Sequence, residues 1–146
     1  LDLQKNIGPH EELRILYVSE PISDAVYKKY GDRNYYGYSE FDAISGFFSY
    51  LENAKEKKSI VRIRLHPSEP DNKYSALCVT VQDKFQLEIS KAKLLEDDCA
   101  WADWVVGCQS MAMVIALRAG KKVFSSIPSH GRKSLIPHRE IISLFR

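Results

Sequence analysis

The chain has 146 residues, 45% of them apolar and 27% charged, with a net charge of +2. This is enough chain for one domain with one core. The charge is too small to argue for a nucleic-acid or membrane-surface footprint, and no apolar run approaches the length of a bilayer span.

Residues 1–13 are polar, contain Gly8–Pro9 and read as a linker remnant; with Leu1 in first place, the sequence is expected to be a piece of a longer protein. Residues 14–146 then form one domain. Arg14–Val18 is short and rich in β-formers, and Ser19–Glu20–Pro21 stops it. The stretch to Gly37 holds Asp24, Lys28, Lys29, Asp32, Arg33 and four tyrosines. It reads as an irregular segment containing a short helix, of a length that in other proteins often carries function. Tyr38–Lys57 is helical, with Ser39 as N-cap, Asp42 three residues on, and Phe41, Ile44, Phe47, Phe48 and Leu51 on one face.

Ser59–Leu65 alternates, placing Ile60, Arg62 and Arg64 on one side and Val61, Ile63 and Leu65 on the other, and ends in His66–Pro67. A short helix over 72–81, a strand over Phe85–Ile89 and a helix over Lys91–Ala100 follow. Ala102–Pro128 then reads as strand, turn, helix and strand: a βαβ unit with its turn at Gly107–Ser110 and Gly120 ending the helix. Met111, Met113, Ile115 and Leu117 are expected in the core, and a last helix is expected over Leu135–Phe145. Alternating strands and helices predict an α/β, Rossmann-like parallel sheet with helices on both faces.

In such a sheet, residues just beyond the strands' carboxyl ends line one common edge. That rule selects Ser19 and Glu20; His66, Pro67, Ser68 and Glu69; Gly107, Gln109 and Ser110; and Ser125 and Ser126. Hydroxyls, an imidazole and free N–H groups at a helix start suit an anion, and no carboxylate is expected in the middle of the site. Each position also has a structural reading, for example Ser110 as a plain N-cap and His66–Pro67 as a plain turn. Cys78, Cys99 and Cys108 read as reduced thiols, as expected in a cytoplasmic protein. His10, His66, His130 and His138 lack ligand spacing, so neither metal nor cofactor is expected.

RLHPSE at Arg64–Glu69, with ADWVVGCQSMAMVIALRAGKKVF at Ala102–Phe124, resembles the C-terminal half of GT-B glycosyltransferases, most closely the bacterial sialyltransferase and polysialyltransferase type. The resemblance covers about Arg14–Pro128. Capsule and lipopolysaccharide transferases that use other donors share a similar strand–GxxS–helix–GK–strand pattern. The resemblance implies one half of a GT-B fold that binds a nucleotide-sugar donor, a CMP-sugar being favoured. It assigns His66 to the donor phosphate and departing nucleotide, Ser110 to the same phosphate and Glu96 to the ribose. Gln109 replaces one serine of the family's pair, and Val114 and Ile115 stand where many nucleotide-sugar transferases have a glutamate. The family's acidic-Gly base motif is absent, since Asp97–Asp98 is followed by Cys99.

The implied chemistry is direct displacement. The base and the glycan acceptor site would come from an absent N-terminal domain, and the donor phosphate would be held here with His66 as imidazolium. On this reading the fragment alone is inactive, and the full-length protein is cytoplasmic, at the inner face of the membrane as a peripheral protein. The residues leave open an epimerase or CDP-alditol transferase, and a non-catalytic nucleotide- or glycan-binding module.

Overall fold

The computed structural model describes residues 12–54, 58–134, 136 and 138–145. Its frame is a six-stranded sheet in the order β3-β2-β1-β4-β5-β6. The strands are β1 (Leu13–Val18), β2 (Ser59–Arg64), β3 (Gln86–Ile89), β4 (Trp104–Gly107), β5 (Lys122–Ser125) and β6 (Ile142–Ser143), and every neighbouring pair is parallel. This is the Rossmann order, as the sequence predicts. The central strands have the near-continuous burial that helices on both faces impose: all of β4 is buried, and all of β1 except Arg14. Leu13 already belongs to β1, and the rest of the expected linker, up to residue 11, lies outside the described residues.

The helices divide between the faces according to side-chain parity. Leu13, Ile15 and Tyr17 of β1 pack with Ile44, Phe47, Phe48 and Leu51 of α2 (Glu40–Ala54) and with Val81 of α3 (Ser75–Val81). Leu16 and Val18 pack on the other face with Cys99 of α4 (Leu95–Trp101) and with Met113 and Ala116 of α5 (Met111–Arg118). The expected cap of α2 is present as a reciprocal pair: Ser39 N–H donates to Asp42 at 2.8 Å, and Asp42 N–H to Ser39 Oγ at 3.1 Å. Helix α5 ends in a left-handed glycine, Gly120 at φ 81°. Lys121 N–H reaches the Ala116 carbonyl and Gly120 N–H the Leu117 carbonyl, each at 3.1 Å.

Three expectations are corrected. Residues 138–145 carry no helix; Ile142 and Ser143 instead add a parallel edge strand to β5. The open edge of β5 takes those hydrogen bonds, and Phe145 fits over Gly46 and meets Tyr50 edge-on at 6.4 Å. On α5 the buried residues are Met113, Val114 and Ala116, while Met111 and Ile115 are 66% and 43% exposed; an i, i+2 series does not stay on one helical face. Phe41, expected on the apolar face of α2, is 45% exposed, whereas Asp98 of α4 is fully buried.

Asp98 explains the charged side of β2. Its carboxylate accepts from Arg62 at 3.2 Å, Arg64 at 2.8 Å and Ser90 at 2.5 Å, and the Arg62 guanidinium lies 3.9 Å from the centre of the Trp101 ring. The pairing fastens α4 across β2, so both arginines are structural. Replacing Asp98 by Ala strands two cations at the helix–sheet seam and is expected to cost about 3 kcal/mol, read as a lower urea midpoint with an unchanged m-value.

Candidate functional site

The strand order fixes where a cleft can form. The chain leaves β1 by way of α1 (Ile22–Tyr30) and α2 toward β2, but leaves β4 by way of α5 toward β5, on the opposite face. The two connections diverge, and the gap beyond the carboxyl ends of β1 and β4 is the switch-point crevice of this sheet type. A cleft of about 380 Å³ lies there. Ser19, Glu20, His66, Gln109 and Ser110 give it polar groups; Ile22, Val26, Tyr30 and Tyr36 give it an apolar wall, and Lys29 an ammonium. Three of the four loops selected from the sequence therefore meet.

The remaining candidates lie elsewhere. Ser126 is fully buried, with its Oγ 3.0 Å from Tyr17 Oη and 3.6 Å from Cys108 Sγ. Ser125 lines a separate groove beside β6, and its Oγ accepts from Ile127 N–H at 3.3 Å. Pro67 and Glu96 are exposed and do not line the cleft. Gly107 is a packing residue: a Cβ there would meet Met113 Sδ at 3.2 Å and the Val18 carbonyl at 3.3 Å. Its lack of a side chain lets α5 close onto β1.

His66 is held from both sides. Its N–H donates to Glu69 Oε1 at 2.7 Å, and its ring Nδ1 accepts Ser68 N–H at 3.1 Å with Ser68 Oγ at 2.8 Å. A backbone N–H can only donate, so Nδ1 is the acceptor and the ring proton sits on Nε2. With its proton there, the ring can donate from Nε2 on a residue that lines the cleft.

Beneath His66 lies a cluster that sequence reasoning missed. Glu69 Oε2 accepts Ser19 Oγ at 3.0 Å, Ser19 Oγ lies 2.6 Å from Tyr74 Oη, and Lys73 Nζ bridges Glu69 and Glu40, the latter at 2.7 Å. Glu40 also accepts from Ser23, from N–H at 3.2 Å and from Oγ at 2.8 Å, in the first turn of α1. Burial works against the Glu40 carboxylate, but the bonds from Lys73 and Ser23 outweigh it and hold its carboxyl below the usual range. Burial likewise opposes the Lys73 ammonium, and the bonds to Glu40 and Glu69 outweigh that and raise it. The available sequence signal was Glu69 and Lys73 at i, i+4, directly after HPS.

The α5 start departs most from expectation. Ser110 is its N-cap, accepting Ala112 N–H at 3.1 Å. The neighbouring N–H groups are not left free for a ligand. Gln109 N–H donates to Glu20 Oε1 at 2.6 Å, and the N–H groups of Cys108 and Ser110 also act on that carboxylate. A carboxylate thus occupies the middle of the site, where none was expected. Burial raises the Glu20 carboxyl above its usual range, and the backbone N–H groups offset only part of this. The Cys108 thiol is pushed up to about 12, first by burial and then by Glu20. It is an inert neighbour, not a nucleophile.

No family model matches the sequence, and no curated protein matches it. Two solved structures share its fold. Thermosulfurimonas dismutans KpsC, beta Kdo 2,7 transferase, is similar with a TM-score of 0.53 at 19% identity, over 94% of this chain and 40% of its own. Thermosulfurimonas dismutans KpsC, beta Kdo 2,4 transferase, is similar with a TM-score of 0.55 at 14% identity, over 96% of this chain and 40% of its own. The chain therefore shares the α/β fold of these two transferases, and it spans 40% of the length of each.

Two stability predictions follow from the site's charges. Lys73→Met leaves two carboxylates with no counterion and is expected to cost about 3 kcal/mol, measured by urea unfolding. Glu20 has a raised folded-state value, so its native state binds more protons. Stability falls as pH rises from the ordinary carboxylate range through that value. Glu20→Gln removes this loss: the variant should melt above the wild type at pH 7 and level with it near about pH 4, where both carboxyls are largely protonated. Thermal melts across that range check the sign.

Proposed function

We propose that this chain is the donor-nucleotide-binding half of a glycosyltransferase of the sialyltransferase-like type, taking a CMP-sugar and working with a second domain that carries the base and the acceptor site. The observation that carries the reading is the switch-point cleft, with His66 on the β2 side and Gln109–Ser110 on the β4 side. The glycosyltransferase-like fold supports it, and the HP and Ser motifs of the sequence resemblance supply the donor class. The proposed setting is cytoplasmic, at the inner face of a membrane.

In this reading His66 donates from Nε2 to the donor phosphate. Ser110 adds its hydroxyl from the other side, and Lys29 supplies positive charge. Tyr30 and Tyr36 offer aromatic surface to the nucleoside. Preset donors aimed at the phosphate stabilise the charge that builds on it as the sugar leaves. Glu69 and Lys73 act at one remove, by fixing the turn from which His66 projects. The transferred sugar would be acidic: sialic acid by the sequence resemblance, or Kdo by the names of the two structurally similar proteins.

One observation favours a second reading, a binding module without transfer activity: Glu20 already takes Gln109 N–H, one of the N–H groups that a phosphate would use. Calorimetric titration with CMP, CDP and UDP separates the alternatives. A transferase half of this type binds CMP best, and His66→Ala and Ser110→Ala each weaken CMP by about tenfold or more. Preference for UDP points to an epimerase-type enzyme. Absence of nucleotide binding leaves the module, and unchanged affinity in both variants removes this cleft as the site.

A further inference from the structure

The cleft holds a negative charge where the donor reading needs to place another. Glu20 sits on the turn that leads into α5, accepting Gln109 N–H at 2.6 Å. The other titratable groups around it do not cancel it. From the β2–α3 connection come His66 and Glu69, and Lys73 there is already shared between Glu69 and Glu40. Tyr17 of β1, Tyr38 and Cys108 are neutral neighbours in which burial disfavours the charged form. Lys29, on α1, is exposed and lines the cleft. A phosphate entering this space meets a like charge with low-dielectric walls behind it, an arrangement that opposes two adjacent anions.

We propose that Glu20 takes up a proton as the donor phosphate binds, and that its carboxyl O–H then donates to a phosphate oxygen, making Glu20 a catalytic residue of the transfer. The proposal rests on the donor reading above. Uptake removes the repulsion, leaves the N–H groups of Cys108–Ser110 to be shared with the phosphate, and turns an acceptor into a donor. During transfer the bond between the sugar carbon and the phosphate oxygen breaks and its electron pair stays on the phosphate. The Glu20 O–H hydrogen bond tightens as that charge grows, and no proton has to leave the site. Burial, which already lifts the Glu20 carboxyl, lowers the cost of the uptake.

The test is calorimetry of the 146-residue chain with CMP and with CMP methyl ester, a phosphodiester that does not itself titrate near neutral pH. Repeating the ester titration in buffers of different ionisation enthalpy counts the protons exchanged. The wild type and His66→Gln should take up roughly one proton per ester, and Glu20→Gln roughly none. Wild-type affinity should tighten by up to about tenfold per unit as pH falls toward the Glu20 value, while Glu20→Gln stays flat. Uptake that survives in Glu20→Gln overturns the proposal, as does uptake lost only in His66→Gln, which would assign the proton to His66. Binding of the ester with no proton exchange by the wild type overturns it too, since the carboxylate would then stay charged or swing aside. If neither CMP nor the ester binds the wild type, the donor reading itself fails and this proposal falls with it.

Discussion

The site depends on one ammonium shared by two buried carboxylates. Lys73 joins Glu40, on the helix that covers one face of the sheet, to Glu69, in the turn after β2. Through Glu69 it fixes the His66 backbone and the end of β1 at Ser19; through Glu40 it satisfies the first turn of α1, which has no side-chain cap of its own. The cleft lies between these elements. Two carboxylates and one ammonium in a dry setting are stable only as a complete set, because removing the cation leaves charges with no solvent to screen them. Lys73, Glu40 and Glu69 therefore set geometry for His66 without themselves lining the cleft.

Against that fixed side stands the β4–α5 turn, where Glu20 reaches across to the N–H groups that usually make such a turn an anion site. Helix starts in Rossmann-like sheets attract phosphate because donors and dipole converge there. Here the chain supplies its own anion. This reshapes the donor reading: phosphate recognition cannot rest on free N–H groups alone and has to include what Glu20 does when the ligand arrives.

Much of the fold was legible because parity and periodicity report burial directly. The two sides of β2, the apolar face of α2 at Ile44, Phe47, Phe48 and Leu51 without Phe41, the Ser39–Asp42 cap and the Gly120 stop are local signals that the structure has. The last segment was misread because its strand exists only by pairing with β5, a partner that local periodicity cannot see. The site was half legible. His66, Glu20 and Ser110 follow from strand ends, which chain order places. Glu20 on Gln109 N–H and Lys73 on Glu40 are contacts at long sequence separation that nothing in the surrounding residues announces; only the i, i+4 spacing of Glu69 and Lys73 was there to be read. Ser125 and Ser126 obey the strand-end rule yet face a groove and the core, because the rule gives the edge and not the direction of the side chain.

The central claim is that a nucleotide phosphate is held between His66 and the α5 start. Amide and imidazole NMR during a titration with CMP tests it most directly. The account predicts that the backbone amides of Cys108, Gln109 and Ser110 and the His66 ring move together, saturating at one CMP per chain. Shifts confined to the groove beside β6, at Ser125 and Ser143, or no shift in either place at saturating CMP, would contradict it.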